Sequence, residues 1–421
     1  MTDFDPLFEL VDLRPSDSVV VVSDTRSDER VARVLFEEIL AHGADASWSR
    51  VRARDRNGDE LPAPVRSSLM ATDVVMLLTS WSPTHSSGVI EATSHGVRVI
   101  SMPGLTMGLL GVGGTTADYG QVKRLTDRWG ERLAAGKRIS LRTAAGTDLE
   151  AELGGCERLP LLDGGPLPRG IGGVANFPAG EAAIAPIEGT TRGRVVIDLT
   201  ASTTRAPLAS PIVVTVGDGV VADIGGGPEA EALSAFLETA GQSSRVVAEI
   251  ALGTNPKARH TGVILEDEKR LGTAHIGLGN SLGLGGTNES PVHIDLVFGA
   301  PTVVVDDVEL LIDGVPSKAA FERESLESMR GSSGRFMPAG AHTQTRDGRL
   351  FVRWHDVRGF AVWSQVGDDA AAVAAANLLR DGPLDAGAGA DRARVLALLE
   401  RYRVVGPVAE RLRPDQAEAA R

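Results

Sequence analysis

Val247–Phe298 reads VAEIALGTNPKARHTGVILEDEKRLGTAHIGLGNSLGLGGTNESPVHIDLVF. Glu249, Glu266, Glu268, His275, His293 and Asp295 stand in it among glycines and short apolar runs. PVHIDLVF alternates apolar and polar residues, which predicts a β-strand. Residues i and i+2 of a strand point to the same face. His293 and Asp295 therefore project side by side, while Val292, Ile294 and Leu296 anchor the other face. An imidazole beside a carboxylate suits a divalent ion such as Zn, Mn, Co or Fe. A lone His-x-Asp pair more often marks a half-wet strand. Here a second histidine, several glutamates and a Gly-rich loop converge on the same short segment.

The same chemistry continues outward from this stretch. Glu249 is flanked by apolar residues in VAEIALGTNP, and Glu181 follows a Pro-bracketed turn in NFPAGEAAIAP (176–186). A carboxylate among Val, Ile and Leu must be neutralised, paired or coordinated. For any one of these glutamates, an ion pair with an arginine is an equal alternative. Together Glu181, Glu249, Glu268, His275, His293 and Asp295 supply four carboxylates and two imidazoles. That set comes close to balancing two divalent ions.

Composition narrows the class. The chain has 421 residues, enough for two or three domains with real cores. Its net charge of −13 argues against nucleic acid or an anionic membrane as the main partner. Aromatics are only 4%, so the core must come from Val, Leu, Ile and Ala. The single Cys156 excludes an internal disulfide framework and a Cys-rich zinc site. MTDFDPLFEL lacks the features of a signal peptide, and no apolar run is long enough to span a bilayer, so a cytoplasmic location is expected.

The flanking chain reads as three regions. SVVVVSD (18–24), ERVARVLFEEILAHG (29–43), ASWSRVRA (46–53), TDVVMLLTS (72–80), SGVIEATSHG (87–96) and VRVISMP (97–103) alternate strand and helix. This pattern predicts an α/β doubly wound domain with a parallel sheet over 1–150. GVGGTT (111–116) lies far from the first strand and reads as a loop, so no nucleotide is assigned. A helix over 118–136, a hairpin over 137–155 and a loop or boundary over 154–173 follow. Residues 174–325 read as an α+β metal-binding domain with antiparallel sheet, including a hairpin turning at Gly217-Asp218-Gly219. Beyond the linker-like RGSSGRFMPAG, residues 340–412 read as a small C-terminal α+β appendage, with helices over 369–382 and 390–412. Two readings stand for it: an oligomerisation or packing appendage, and a surface for a peptide or protein partner, including a carrier in a non-peptidase biosynthetic enzyme. His42, His85, His95, His260, His342 and His355 have no ligand-like spacing.

NFPAGE, AEIALGTNP, EDEK, GTAHIGLGN and SPVHID resemble motifs of the leucyl aminopeptidase (aminopeptidase T) metallopeptidase family. The likeness runs over roughly residues 1–320. It implies divalent metal, Zn, Mn or Co as one or two ions, with Glu181, Glu249, Glu268, His275, His293 and Asp295 as ligands. It also implies a homodimer and an amide or peptide-like substrate attacked by metal-activated water, with Glu181 carrying the proton. Glu266 is an alternative to Glu268. Two positions depart from the family. Gly180 replaces an acidic residue before the first ligand, and Leu282 stands about where a catalytic tyrosine would be. The oxyanion would then fall to metal and to backbone amides of the 283–287 loop. A second branch resembles 2,5-dihydroxypyridine 5,6-dioxygenase, which implies one Fe(II) held by two His and one Asp. His293 and Asp295 match that pattern, while Glu249 falls where that branch has its first histidine, and His275 is left to complete the triad.

Overall fold

The computed structural model describes residues 3–321 apart from 55, 56, 85, 155–157, 159, 168, 170, 171 and 205, and the backbone of strands at 341–346, 349–355 and 361–365. The chain divides between Arg323 and Glu324 into two compact units.

Ser18–Asp24 is an almost unbroken apolar run because both faces of its sheet are covered. It pairs in parallel with Asp45–Val51 on one side and Val74–Leu78 on the other. Arg98–Ser101 and Gly173–Asn176 extend the sheet, also in parallel. The first three crossovers carry the helices Glu29–His42, Ala63–Leu69 and Ser87–Ser94. In Glu29–His42, Asp28 caps the N-terminus, and Val31, Ala32, Leu35 and Ile39 form the buried stripe. Gly43, at φ 98°, ends the helix in a left-handed conformation that a residue with a Cβ resists. The doubly wound parallel sheet read from the sequence is present.

Two antiparallel sheets follow. The larger has eight strands, in spatial order Val220–Gly226, Ile212–Gly217, Arg192–Ile197, Asp148–Glu152, Arg138–Arg142, Thr302–Val305, Val308–Ile312 and Val315–Pro316. The smaller has six, in order Thr200–Ala201, His293–Gly299, Thr273–Gly279, Val247–Gly253, Glu181–Ile184 and Leu161–Asp163. One core joins them, with Ile139, Leu141, Leu149 and Val214 from the larger and Ile250, Leu252, Ile276 and Leu296 from the smaller. Trp129 and Leu133 of the helix Tyr119–Ala135 complete it.

Residues 1–150 do not map onto one sheet. The 138–152 hairpin buries Ile139, Leu141, Leu149 and Ala151 on one face and joins the eight-stranded sheet, where a second apolar layer covers them. Conversely, Gly173–Asn176 returns to complete the parallel sheet. Nor is 154–173 only a loop, since Leu161–Asp163 forms the edge of the six-stranded sheet. In the second unit, Ala341–Arg346, Arg349–His355 and Ala361–Gln365 form a three-stranded antiparallel sheet. The helices expected over 369–382 and 390–412 lie outside the described residues. Among the described residues no helix is long and apolar enough to cross a membrane.

Candidate metal centre

The six-stranded sheet is the scaffold of the cluster. Its inner face carries Ala182, Ile184, Ile250, Leu252, Ala274, Ile276, Leu278, Ile294, Leu296 and Phe298 into the core. Period-two alternation then puts Glu181, Glu249, His275, His293 and Asp295 on the opposite face. Register brings them together across four neighbouring strands. Gly253 pairs with Glu181, Ala251 with His275, and Gly277 lies between Glu249 and Asp295. Gly277 matters for its lack of a side chain. A Cβ there would sit 2.8 Å from both Glu249 Cβ and His293 Nε2.

Glu268 joins from the turn after the short helix Ile264–Asp267. Three overlapping groups of ligand atoms form: Glu181, Glu249 and His275; Glu249, His293 and Asp295; Glu268, His275 and Asp295. All six residues picked from the sequence therefore meet in one place. Glu266 does not. It is buried with its Oε1 accepting from the amides of Gly114, at 3.1 Å, and Arg259, at 3.0 Å. The GVGGTT segment thus binds Glu266 through the Gly114 amide.

Sequence reasoning missed Lys269 and Asp163. Lys269 is wholly buried, with Nζ 2.6 Å from Glu181, 2.9 Å from Glu268 and 3.4 Å from Asp163. A lysine inside an Asp-Glu run normally reads as part of a solvated face. The available clue was that EDEK lies between apolar segments. Asp163 was hidden in a Gly/Pro-rich stretch, and only its pairing with Glu181 places it.

The histidines test whether a cation fits. His293 Nδ1 lies 2.7 Å from the Asn280 carbonyl, a contact that requires Nδ1–H as donor. Nε2 then faces Glu249 at 2.8 Å and Asp295 at 3.1 Å, both acceptors. Only a second proton or a cation reconciles that geometry. His275 Nε2 lies 3.6 Å from Glu181 and 3.8 Å from Glu249, and its buried Nδ1 has no hydrogen-bond partner. In the metal-free protein, protons fill this role. Burial would lower the His275 pKa, but Glu249 and Glu181 push it up to about 9. His293 is raised well above its usual value against the same desolvation, by Asp295 and Glu249. Burial raises the Glu181 carboxyl to about 8, with Lys269 opposing and Glu268 reinforcing the shift. Glu249 shows the reverse balance. Burial raises it, yet the two imidazoles, His293 at 2.8 Å and His275 at 3.8 Å, hold it below the usual carboxylate range. Five carboxylates against one ammonium leave four negative charges when the imidazoles are neutral, which matches two divalent ions.

His293 and Asp295 retain 28% and 19% side-chain exposure, whereas Glu181, Glu249 and His275 are buried, so the cluster opens at the His293 edge. Four of the five amides of the 283–287 loop are already engaged. The amides of Leu284, Gly285, Gly286 and Thr287 are committed to Ser281, Leu282 and Glu188. Leu282 is 45% exposed and brings no donor. Tyr119 does not replace the family's tyrosine, because its buried hydroxyl donates to Gly114 O and accepts from Ala179 N. Gly180 is held at φ 142°, where a Cβ would lie 2.5 Å from Asn255 Cβ, so the family's acid has no room there. His42 and His95 contact backbone carbonyls, and His260 lies 3.3 Å from Leu199 O. His85 and the side chains of His342 and His355 lie outside the described residues.

A mixed α/β scaffold presenting a carboxylate–imidazole cluster supports a divalent-metal enzyme. Residues 1–318 match the family model for 2,5-dihydroxypyridine 5,6-dioxygenase (NicX), and the chain belongs to that family. The fold is similar to that of 2,5-dihydroxypyridine dioxygenase from Pseudomonas putida KT2440, with TM-score 0.62 and 18% identity over 76% of this chain and 97% of that one. A solved structure of AmpT from Thermus thermophilus also matches, with TM-score 0.48 and 16% identity over 75% of this chain and 97% of that one. No curated protein matches the sequence.

Proposed function

We propose that the protein is a divalent-metal hydrolase of an amide or peptide-like bond in a small substrate, whose carboxylate–imidazole cluster would hold two ions. The carrying observation is that Glu249 and Asp295 each belong to two of the ligand groups, each time with a different histidine, so the cluster has room for more than one ion. Glu181, Glu249 and His275 would hold one ion, and Glu249, His293 and Asp295 the other, with Glu268 in reach of His275 and Asp295. Bound divalent ions lower the pKa of water towards neutrality and polarise a carbonyl. The protein's own residues do the rest. Glu181, the carboxylate next to Gly180 where the family's extra acid is missing, would pass the proton to a leaving amine. His293 is oriented by Asn280. With no tyrosine at position 282 and most loop amides engaged, ordinary dipeptides should turn over weakly, and the true substrate brings its own polar group.

The family match favours a second reading, a ring-cleaving dioxygenase with one Fe(II) on His275, His293 and Asp295. Asp295 groups with each of the two histidines in turn, which is compatible with that triad. Metal analysis with an oxygen electrode separates the two. About two Zn, Mn or Co ions per chain and metal-dependent amide hydrolysis are expected. One Fe per chain with oxygen uptake on a hydroxylated pyridine would replace the hydrolase with the dioxygenase.

A further inference from the structure

Lys269 brings a buried ammonium into the cluster, and its surroundings are specific. Oxygens of Glu181, Glu268 and Asp163 surround Nζ within 3.4 Å, an arrangement of the kind that holds a cation. The lysine backbone is pinned on both sides, its N–H donating to Glu266 O at 3.1 Å and its carbonyl accepting from Asn255 N at 2.8 Å. Gly253 lets the turn pass, since a Cβ there would lie 2.9 Å from the Lys269 carbonyl carbon and 2.1 Å from Arg270 O. The ammonium takes Oε1 of both Glu181 and Glu268. On Glu181 this leaves Oε2 directed at His275.

We infer that Lys269 is a positioning residue of the metal centre: it holds one oxygen of Glu181 and one of Glu268, so that each glutamate offers a single oxygen to metal, and it fills with a fixed charge the place of a further cation. The inference rests on the two-ion reading above. Asp163 serves as the counter-charge behind the lysine, outside the ligand groups. Removing the ammonium frees both glutamates to chelate with two oxygens and leaves their charge uncompensated until metal arrives.

The test uses full-length protein, as wild type and as Lys269→Met, in EDTA and with saturating Zn2+. In EDTA the variant should melt on the order of 10 °C below wild type, as expected when a buried ion network loses one partner. Zn2+ should close at least half of that gap, because the added ions supply the missing charge. A gap equal in both conditions means that the lysine only packs, and overturns the inference while the two-ion reading stands. With Co2+ as the probe, the variant's visible absorption should weaken as two-oxygen binding raises the coordination number. An unchanged spectrum overturns the positioning role. If Lys269→Met does not fold, the double variant Lys269→Met/Asp163→Asn, which also removes one negative charge, takes its place with the same expected and overturning results. A wild type that takes up no Zn2+, Mn2+, Co2+ or Fe2+ defeats the metal-centre reading itself, and the inference with it.

Discussion

Asp24 and Glu249 are both buried carboxylates on interior strands, one in the parallel sheet and one in the six-stranded sheet, and they are satisfied in opposite ways. Asp24 ends its strand beside the switch point between Ser18–Asp24 and Val74–Leu78, where doubly wound sheets commonly bind ligands. It accepts from the amides of Arg26, Ser27 and Ser80 and from the Ser80 hydroxyl, at 2.6–2.8 Å. Burial raises its pKa, but those donors together hold it below the usual value. Both of its oxygens are taken by the chain's own groups. Glu249 instead relies on the His293 imidazole at 2.8 Å, which must carry a proton at Nε2 to satisfy it, with His275 nearby at 3.8 Å. Backbone and hydroxyl donors are permanent, whereas imidazole protons can be exchanged for a metal ion. Position in the fold would place a ligand at Asp24, while donor chemistry places it at Glu249.

The sharpest break in this comparison is Glu249→Gln. Loss of the shared carboxylate should reduce bound Zn from about two ions to one or fewer and lower turnover by roughly 10³. Elemental analysis after reconstitution reads the first effect. A variant that retains both ions would show that Glu249 is as closed a structural group as Asp24.

Sequence alone reached much of this contrast, for physical reasons. Apolar runs bounded by amphipathic helices made the parallel sheet legible. Alternation in PVHIDLVF put His293 and Asp295 on one face before any pairing was known. Strand register was not legible, because it is set by contacts between distant segments, and so the approach of Glu249 to Gly277 could not be foreseen. Lys269 and Asp163 stayed hidden for the same reason. Neither has a local pattern that separates a buried charge from a solvated one. Glu266 and Glu268 were equivalent by spacing, and only the direction of the turn after Ile264–Asp267 distinguishes them.

A pH series tests whether the imidazole protons occupy the place of metal. His275, at about 9, and Glu181, at about 8, both have raised values in the metal-free protein and must lose protons to act as ligands. Below pH 8 both hold protons, and His293 and Glu268 are raised as well, so zinc affinity should rise steeply with pH, by about 10² per pH unit or more, and go on rising through pH 9. Stability of the metal-free protein moves the other way. Groups with raised folded values stabilise fully below their unfolded values, and that contribution is lost as pH rises through 8 and 9. Calorimetric titration between pH 6 and 9 reads the affinity. A flat profile would mean that those protons are not displaced by metal.

Glu181→Gln separates holding metal from moving protons. The amide keeps an oxygen for coordination and cannot carry the proton. Turnover should fall by about 10² while Glu249, His293 and Asp295 still retain metal. Zinc content and activity measured on the same preparation settle it. Hydrolysis of leucyl dipeptides at undiminished rate would remove Glu181 from the chemistry.

The smallest effect belongs to Asp24→Ala, which opens the closed end of the comparison. Four donors lose a charged acceptor, and the Ser80 and Ser27 amides are left to find water in a tight turn. The expected cost is about 2 kcal/mol of stability, a fall of several degrees in melting temperature. Zinc content and turnover should not change, since Asp24 belongs to none of the ligand groups. Because its folded pKa is lowered, Asp24 stabilises above the ordinary carboxylate range and loses that contribution as pH falls through its folded value. The difference in melting temperature between wild type and variant should therefore be constant from pH 6 to 8 and shrink only in acid. A variant that loses turnover at full zinc occupancy and unchanged melting temperature would show that the switch-point crevice takes part in catalysis after all.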